Sequence, residues 1–137
     1  MNDVIINKIQ SIQRCIQRVQ QEYQAAGKHF LTNYSHQDAA ILNITRACEQ
    51  AIDLANYMIK KEQWGIPQSS GESFQSLANQ AVITPELALS LQKMVGFRNI
   101  AIHEYQQLDM GIVIMVINHG LSDILQFTDR VLAYQES

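Results

Sequence analysis

Four polar side chains of complementary chemistry fall within eight residues: Arg98, Asn99, His103 and Tyr105, in the stretch Gly-Phe-Arg-Asn-Ile-Ala-Ile-His-Glu-Tyr. An imidazole titrates near neutrality, so it can take the proton of a ribose 2′-hydroxyl or return one to a leaving oxygen. A guanidinium offers a fixed fork of donors to a phosphate and to the charge that builds on it. An amide orients an imidazole or binds a sugar or phosphate oxygen, and a phenol stacks on a base or hydrogen-bonds near the scissile group. Together they suit cleavage of an RNA phosphodiester. That chemistry needs neither metal nor cofactor, and the sequence lacks the acid-rich clusters expected of a two-metal nuclease.

Helical geometry sets what these groups can reach. On one helix Asn99 and His103, four apart, share a face, and Arg98 and Tyr105, seven apart, share another. Arg98 and His103 diverge by roughly 140° around the axis and about 7.5 Å along it. A second copy of the helix about a two-fold axis brings two Arg and two His around one cleft. Asp53 is a further candidate: it either helps to hold Arg98 or His103, or is a surface acid four residues after Glu49. His29, His36 and His119 have no metal-ligand spacing and read as loop or surface residues.

The elements that must position these residues are legible as periodicity. Ile5, Ile9, Ile12, Ile16, Val19 and Tyr23 form one stripe, which predicts an amphipathic helix from about Asn2 to Ala26 with Gly27 as its stop. Six glutamines, from Gln10 to Gln24, fall on its other faces and read as solvated. A second helix, from about Ser35 to Gln63, has a face so broad (Ile41, Ile44, Cys48, Ile52, Ala55, Ile59, widened by Leu42, Ala47, Leu54 and Met58) that it must meet more than one neighbour. Trp64–Gly71 reads as a loop, and Glu72–Ala81 has room for a short helix. Thr84-Pro85-Glu86 is a helix start with Thr as N-cap and Pro in the first turn. The last segment starts at Asp109 and runs to about Tyr134. Its stretch MGIVIMVI has strand-like residues, but Val113, Ile117, Leu121, Ile124, Phe127 and Val131 keep helical spacing. The expected fold is all-α: an antiparallel bundle of four long helices and one short one, forming a single domain over residues 1–137.

Composition narrows the function classes. A chain of 137 residues carrying a net charge of −3 has no dense Lys/Arg arm, which argues against a broad grip on duplex DNA. The N-terminus lacks the basic-then-apolar order of a signal peptide, and the longest apolar run, Ile112–Ile117, is too short to span a membrane. Cys15 and Cys48 read as core thiols of a reduced, cytoplasmic protein.

The stretch Met94–Tyr105 (MVGFRNIAIHEY) resembles the signature of the HEPN superfamily, an Arg, four to six residues, then a His: here Arg98, four residues, His103. Glu104-Tyr105 is similar to the continuation in the HepT toxin branch, any residue and then Tyr. Arg46–Ala55, Glu72-Ser73-Phe74 and Thr84–Leu91 agree in style, so the resemblance spans nearly the whole chain. Gln106 and Gln107 stand where many relatives carry an aromatic. The resemblance implies an HEPN-like homodimer with metal-independent endoribonuclease activity on tRNA or mRNA. It also implies a nucleotidyltransferase antitoxin of the MntA type as partner. Arg98 and His103 would then be the catalytic pair, Asn99 a supporting group, and Tyr105 the tyrosine adenylylated to silence the toxin. AMP there adds bulk and negative charge to a phosphate site. If the 2′-hydroxyl is the nucleophile, the product carries a 2′,3′-cyclic phosphate. The bundle also resembles the substrate-binding half of split nucleotidyltransferases, in which Arg98 and His103 would hold a nucleotide and cleave nothing. Met110–Ile117, apolar on all sides, is either plain core or has an exposed part that forms a dimer seam or an antitoxin surface.

Overall fold

Asn2 starts the first helix by accepting the Val4 and Ile5 amides on its side-chain oxygen, at 2.9 and 3.2 Å. The computed structural model describes residues 2–136. In it α1 spans Asp3–Ala26 and ends at Gly27, whose φ of 54° is left-handed and whose amide bonds back to the Tyr23 carbonyl. Ile5, Ile9, Ile12, Ile16 and Val19 are buried, each contributing about 1.5–3 kcal/mol through removal from water. The six glutamines on the other faces are exposed.

The second helix, α2 (Tyr34–Glu62), is capped by Asn33 and stopped by Gln63 in the left-handed region at φ 59°. Its broad apolar face meets α1, α3, α4 and α6, as its width requires. The short α3 (Ser70–Asn79) is capped by Ser69 and tied to α2 through Ser73, whose hydroxyl donates to Asn56 at 2.5 Å. Then α4 (Pro85–His103) begins as the sequence indicates, with the Thr84 hydroxyl accepting the Leu87 amide at 3.1 Å. Gln92 on α4 donates to the Gly71 carbonyl at 3.2 Å, fixing α4 against the start of α3.

After a 3-10 turn at Tyr105–Gln107, Asp109 caps α5 (Met110–Met115), which passes through a π-helical turn (Val116–Gly120) into α6 (Leu121–Glu136). MGIVIMVI is therefore helical, but not uniformly so. The Leu121 amide reaches back five residues to the Val116 carbonyl. At Gly120 a Cβ would stand 2.7 Å from the Met94 sulfur, so α4 approaches closely there. The rod Met110–Glu136 is long and apolar enough to cross a membrane by length and composition, although its uninterrupted apolar run is short. Its inner face (Val113, Ile117, Leu121, Ile124, Phe127, Val131) is buried against the bundle. Phe127 meets Phe74 of α3 edge to face at 5.4 Å. The result is the all-helical fold read from periodicity.

Candidate functional site

The polar cluster gathers at the carboxy-terminal end of α4. Arg98 is half-buried. Its guanidinium reaches across to the amino-terminal end of α3, where Nη2 donates to Ser70 Oγ at 3.4 Å. Its Nε is buried without a hydrogen-bond partner, and its charge is felt at Cys48 on α2. Burial nonetheless pushes the Cys48 thiol up to about 12; the nearby Arg98 charge lowers it and Glu49 raises it. Arg98 is thus tied to α3 and lies near enough to α2 for its charge to act on Cys48.

Asn99 and His103 lie one turn apart on α4, both exposed, as the four-residue spacing requires. His103 is the last residue of the helix. At Glu104 the backbone leaves helical geometry (φ −139°, ψ 44°), and its amide closes the last turn on the Ile100 carbonyl at 2.8 Å. This changes the place of Tyr105. The seven-residue spacing would put it on the Arg98 face of a continuous helix, but the helix stops first. Tyr105 opens the 3-10 turn instead, closed by the Gln107 amide on Glu104 and the Leu108 amide on Tyr105 at 2.8 and 3.1 Å. A shallow pocket of about 400 Å³ runs over this turn, lined by Ile102–Gln107.

Tyr105 is 44 % exposed, and its hydroxyl donates to Oδ1 of Asp38 near the start of α2. Partial burial, the hydrogen bond and the Asp38 charge together push the phenol up to about 12, so it stays protonated at neutral pH. Sequence reasoning missed Asp38. It stands 67 residues from Tyr105 in an otherwise ordinary helical turn, and no local signal links the two. Ser70 escaped notice for the same reason.

Asp53 is not at this site. It lies on the α1 side of α2, where its carboxylate is 3.9 Å from Lys8 Nζ and more than half exposed. It therefore behaves as the surface acid of the two readings, because the rotation of α2 that buries Ile52 and Leu54 turns Asp53 toward α1. His36 pairs with Glu22, and among the described residues no group of three or more His, Cys, Asp or Glu is placed to hold a metal ion.

Beside the polar cluster, α4 and α5 form an open groove of about 620 Å³ whose walls include Phe97, Ile100, Ile112 and Met115. Ile100 on α4 and Ile112 and Met115 on α5 are 41, 52 and 60 % exposed, an apolar surface that begins one residue beyond Asn99 on α4.

Residues 12–131 match the family model described as Ribonuclease HepT-like. The chain is 50 % identical over 133 residues to the mRNA nuclease HepT of Shewanella oneidensis, covering 97 % of this chain and 99 % of that one. It is 23 % identical to the tRNA nuclease HepT of Aphanizomenon flos-aquae over 96 % of this chain and 89 % of the relative. Among solved structures it superposes with a TM-score of 0.92 on the tri-AMPylated Shewanella oneidensis HEPN toxin in complex with MNT antitoxin, at 50 % identity over 97 % of this chain and 99 % of that chain. The fold alone is shared with the cytosolic protein YutE of Bacillus subtilis, at a TM-score of 0.74 and 18 % identity over 91 % of this chain and 88 % of that one.

Proposed function

This chain belongs to the HepT-like ribonuclease family, and from that premise we propose that it is the cytoplasmic toxin of a toxin–antitoxin pair, an endoribonuclease silenced by adenylylation of Tyr105. His103, exposed at the helix end, acts as general acid and base on the ribose 2′-hydroxyl and the leaving oxygen. Arg98, braced from behind by Ser70, turns a prepositioned charge toward the phosphate and the negative charge of the transition state. Asn99 orients the imidazole or a phosphate oxygen from one turn away. This chemistry proceeds without metal and leaves a 2′,3′-cyclic phosphate on tRNA or mRNA.

A second copy of this chain completes the cleft. The apolar groove runs along the same stretch of α4 as Arg98 and Asn99, so a copy seated on Ile100, Ile112 and Met115 brings the second Arg and His alongside the first. A small nucleotidyltransferase is the other partner.

The observation that carries this reading is the position of Tyr105. It is an accessible hydroxyl two residues beyond His103 and outside the helix, in a family whose Shewanella member is tri-AMPylated in complex with its antitoxin. An AMP group there introduces a phosphodiester anion where the RNA phosphate must approach. The test is cleavage of RNA by the purified chain, with end-group analysis of the products. Wild type should release 2′,3′-cyclic phosphate ends and Arg98→Ala should release none. Full cleavage by Arg98→Ala, or nucleotide binding with RNA left intact by wild type, refutes the assignment in favour of a binding subunit.

A further inference from the structure

We propose that Asp38 is the group that takes the Tyr105 hydroxyl proton during adenylylation, so that the toxin carries the base for its own silencing. This rests on the reading of Tyr105 as the modified residue.

The geometry is specific. Tyr105 Oη donates to Asp38 Oδ1, bringing together α2 and the turn after α4. Both residues are exposed, so a second protein can approach them. Among the described residues Asp38 has no Lys, Arg or His within ion-pair distance, so no cation competes with the Tyr105 hydroxyl for its carboxylate. His103 and Glu104 are the titratable neighbours lining the same shallow pocket. Burial, the hydrogen bond to Asp38 and the Asp38 charge hold the phenol above its ordinary value, so prior ionisation at neutral pH is a poor route. An aspartate that accepts a hydroxyl proton as the oxygen attacks phosphorus is the arrangement protein kinases use.

The step balances without a redox partner. Tyr105 Oη attacks the α-phosphorus of a nucleoside triphosphate held by the transferase. The Oη–Pα bond forms while the bond from Pα to the pyrophosphate oxygen breaks, the proton passes to Asp38 Oδ1 and then to solvent, and pyrophosphate departs. The tyrosine oxygen is now an ester oxygen with no proton to donate to Asp38, and the phosphodiester anion beside it faces a carboxylate. Modification therefore also breaks the tether between α2 and the turn.

The experiment follows the first AMP addition by intact mass, using the full chain, ATP and a nucleotidyltransferase antitoxin of the MNT type. Asp38→Asn keeps an acceptor for the Tyr105 hydroxyl but cannot take its proton. It should slow the addition on the order of 10²-fold or more at pH 7. Its rate should rise about tenfold per pH unit between roughly pH 7 and 9, as direct ionisation takes over, while wild type stays nearly flat. A circular dichroism melt checks that the variant is folded, and Asp38→Ala, which also loses orientation, should be no faster. An Asp38→Asn rate equal to wild type, or a parallel pH profile, overturns the role of Asp38 while Tyr105 stands, provided Tyr105→Phe takes no AMP. Modification of Tyr105→Phe at the wild-type rate overturns both.

Discussion

At its amino-terminal end α4 is held by burial: Leu87, Ala88, Leu91 and Met94 are inside the bundle, and Thr84 caps the first turn. At its carboxy-terminal end Ile100, Ile102, Asn99 and His103 are open to solvent, and the 3-10 turn beyond them is tied down by one long-range hydrogen bond from Tyr105 to Asp38. One helix thus has a structural half and a chemical half. Groups that must meet a substrate need an open face, as even half-buried Arg98 keeps, and the packed half supplies the rigidity that the open half lacks.

That contrast is tested most severely by substitutions that should act on one half and spare the other. His103→Ala should lower RNA cleavage by at least about 10²-fold, while its denaturant midpoint shifts by no more than about 0.5 kcal/mol in stability. A large loss of stability would mean that His103 belongs to the packed half. Leu91→Ala should do the reverse. It leaves a cavity under α4 and costs about 2–5 kcal/mol by urea unfolding, with the folded fraction still cleaving RNA. Next comes Cys48, beneath Arg98. Its thiol ionises near the ordinary 9 when unfolded and at about 12 when folded, so the stability it contributes is complete below pH 9 and is lost as pH rises toward 12. Iodoacetamide near pH 8.5 should therefore label half-exposed Cys15 well before Cys48, and equally fast labelling in the native protein would contradict its burial. Removing the cap by Thr84→Ala should cost about 1 kcal/mol, read as a lower thermal midpoint. The smallest effect belongs to Asp53→Asn, at most about 0.5 kcal/mol, because an exposed pair at 3.9 Å contributes little.

The structural half of α4 was readable from the sequence because its determinants are local. Thr84-Pro85 marks the start, and the isoleucine stripe of α1 predicts its buried face residue by residue. The chemical half was readable in part. Arg98, Asn99 and His103 sit on one helix with the spacing expected. Tyr105 was misplaced because neither Gly nor Pro marks the stop at Glu104; the break appears in the backbone and not in residue type. Asp38 and Ser70 were illegible because their partners lie 67 and 28 residues away, and only the packing of α2, α3 and α4 brings them together. Asp53 was open to two readings because periodicity says which residues point inward but not which neighbour an edge residue faces.

The π-helical turn at Val116–Gly120 bears on how the chain tolerates changes of length. In a regular α-helix, deleting one residue rotates everything downstream by about 100° and would carry Ile124, Phe127 and Val131 out of the core. Where the ladder already reaches five residues back, as from Leu121 to Val116, losing exposed Asn118 lets it tighten to four with both flanking faces in phase. This turn is a built-in slack of one residue, beside the groove and facing Met94, at which the last helix can shorten without losing its grip on the bundle.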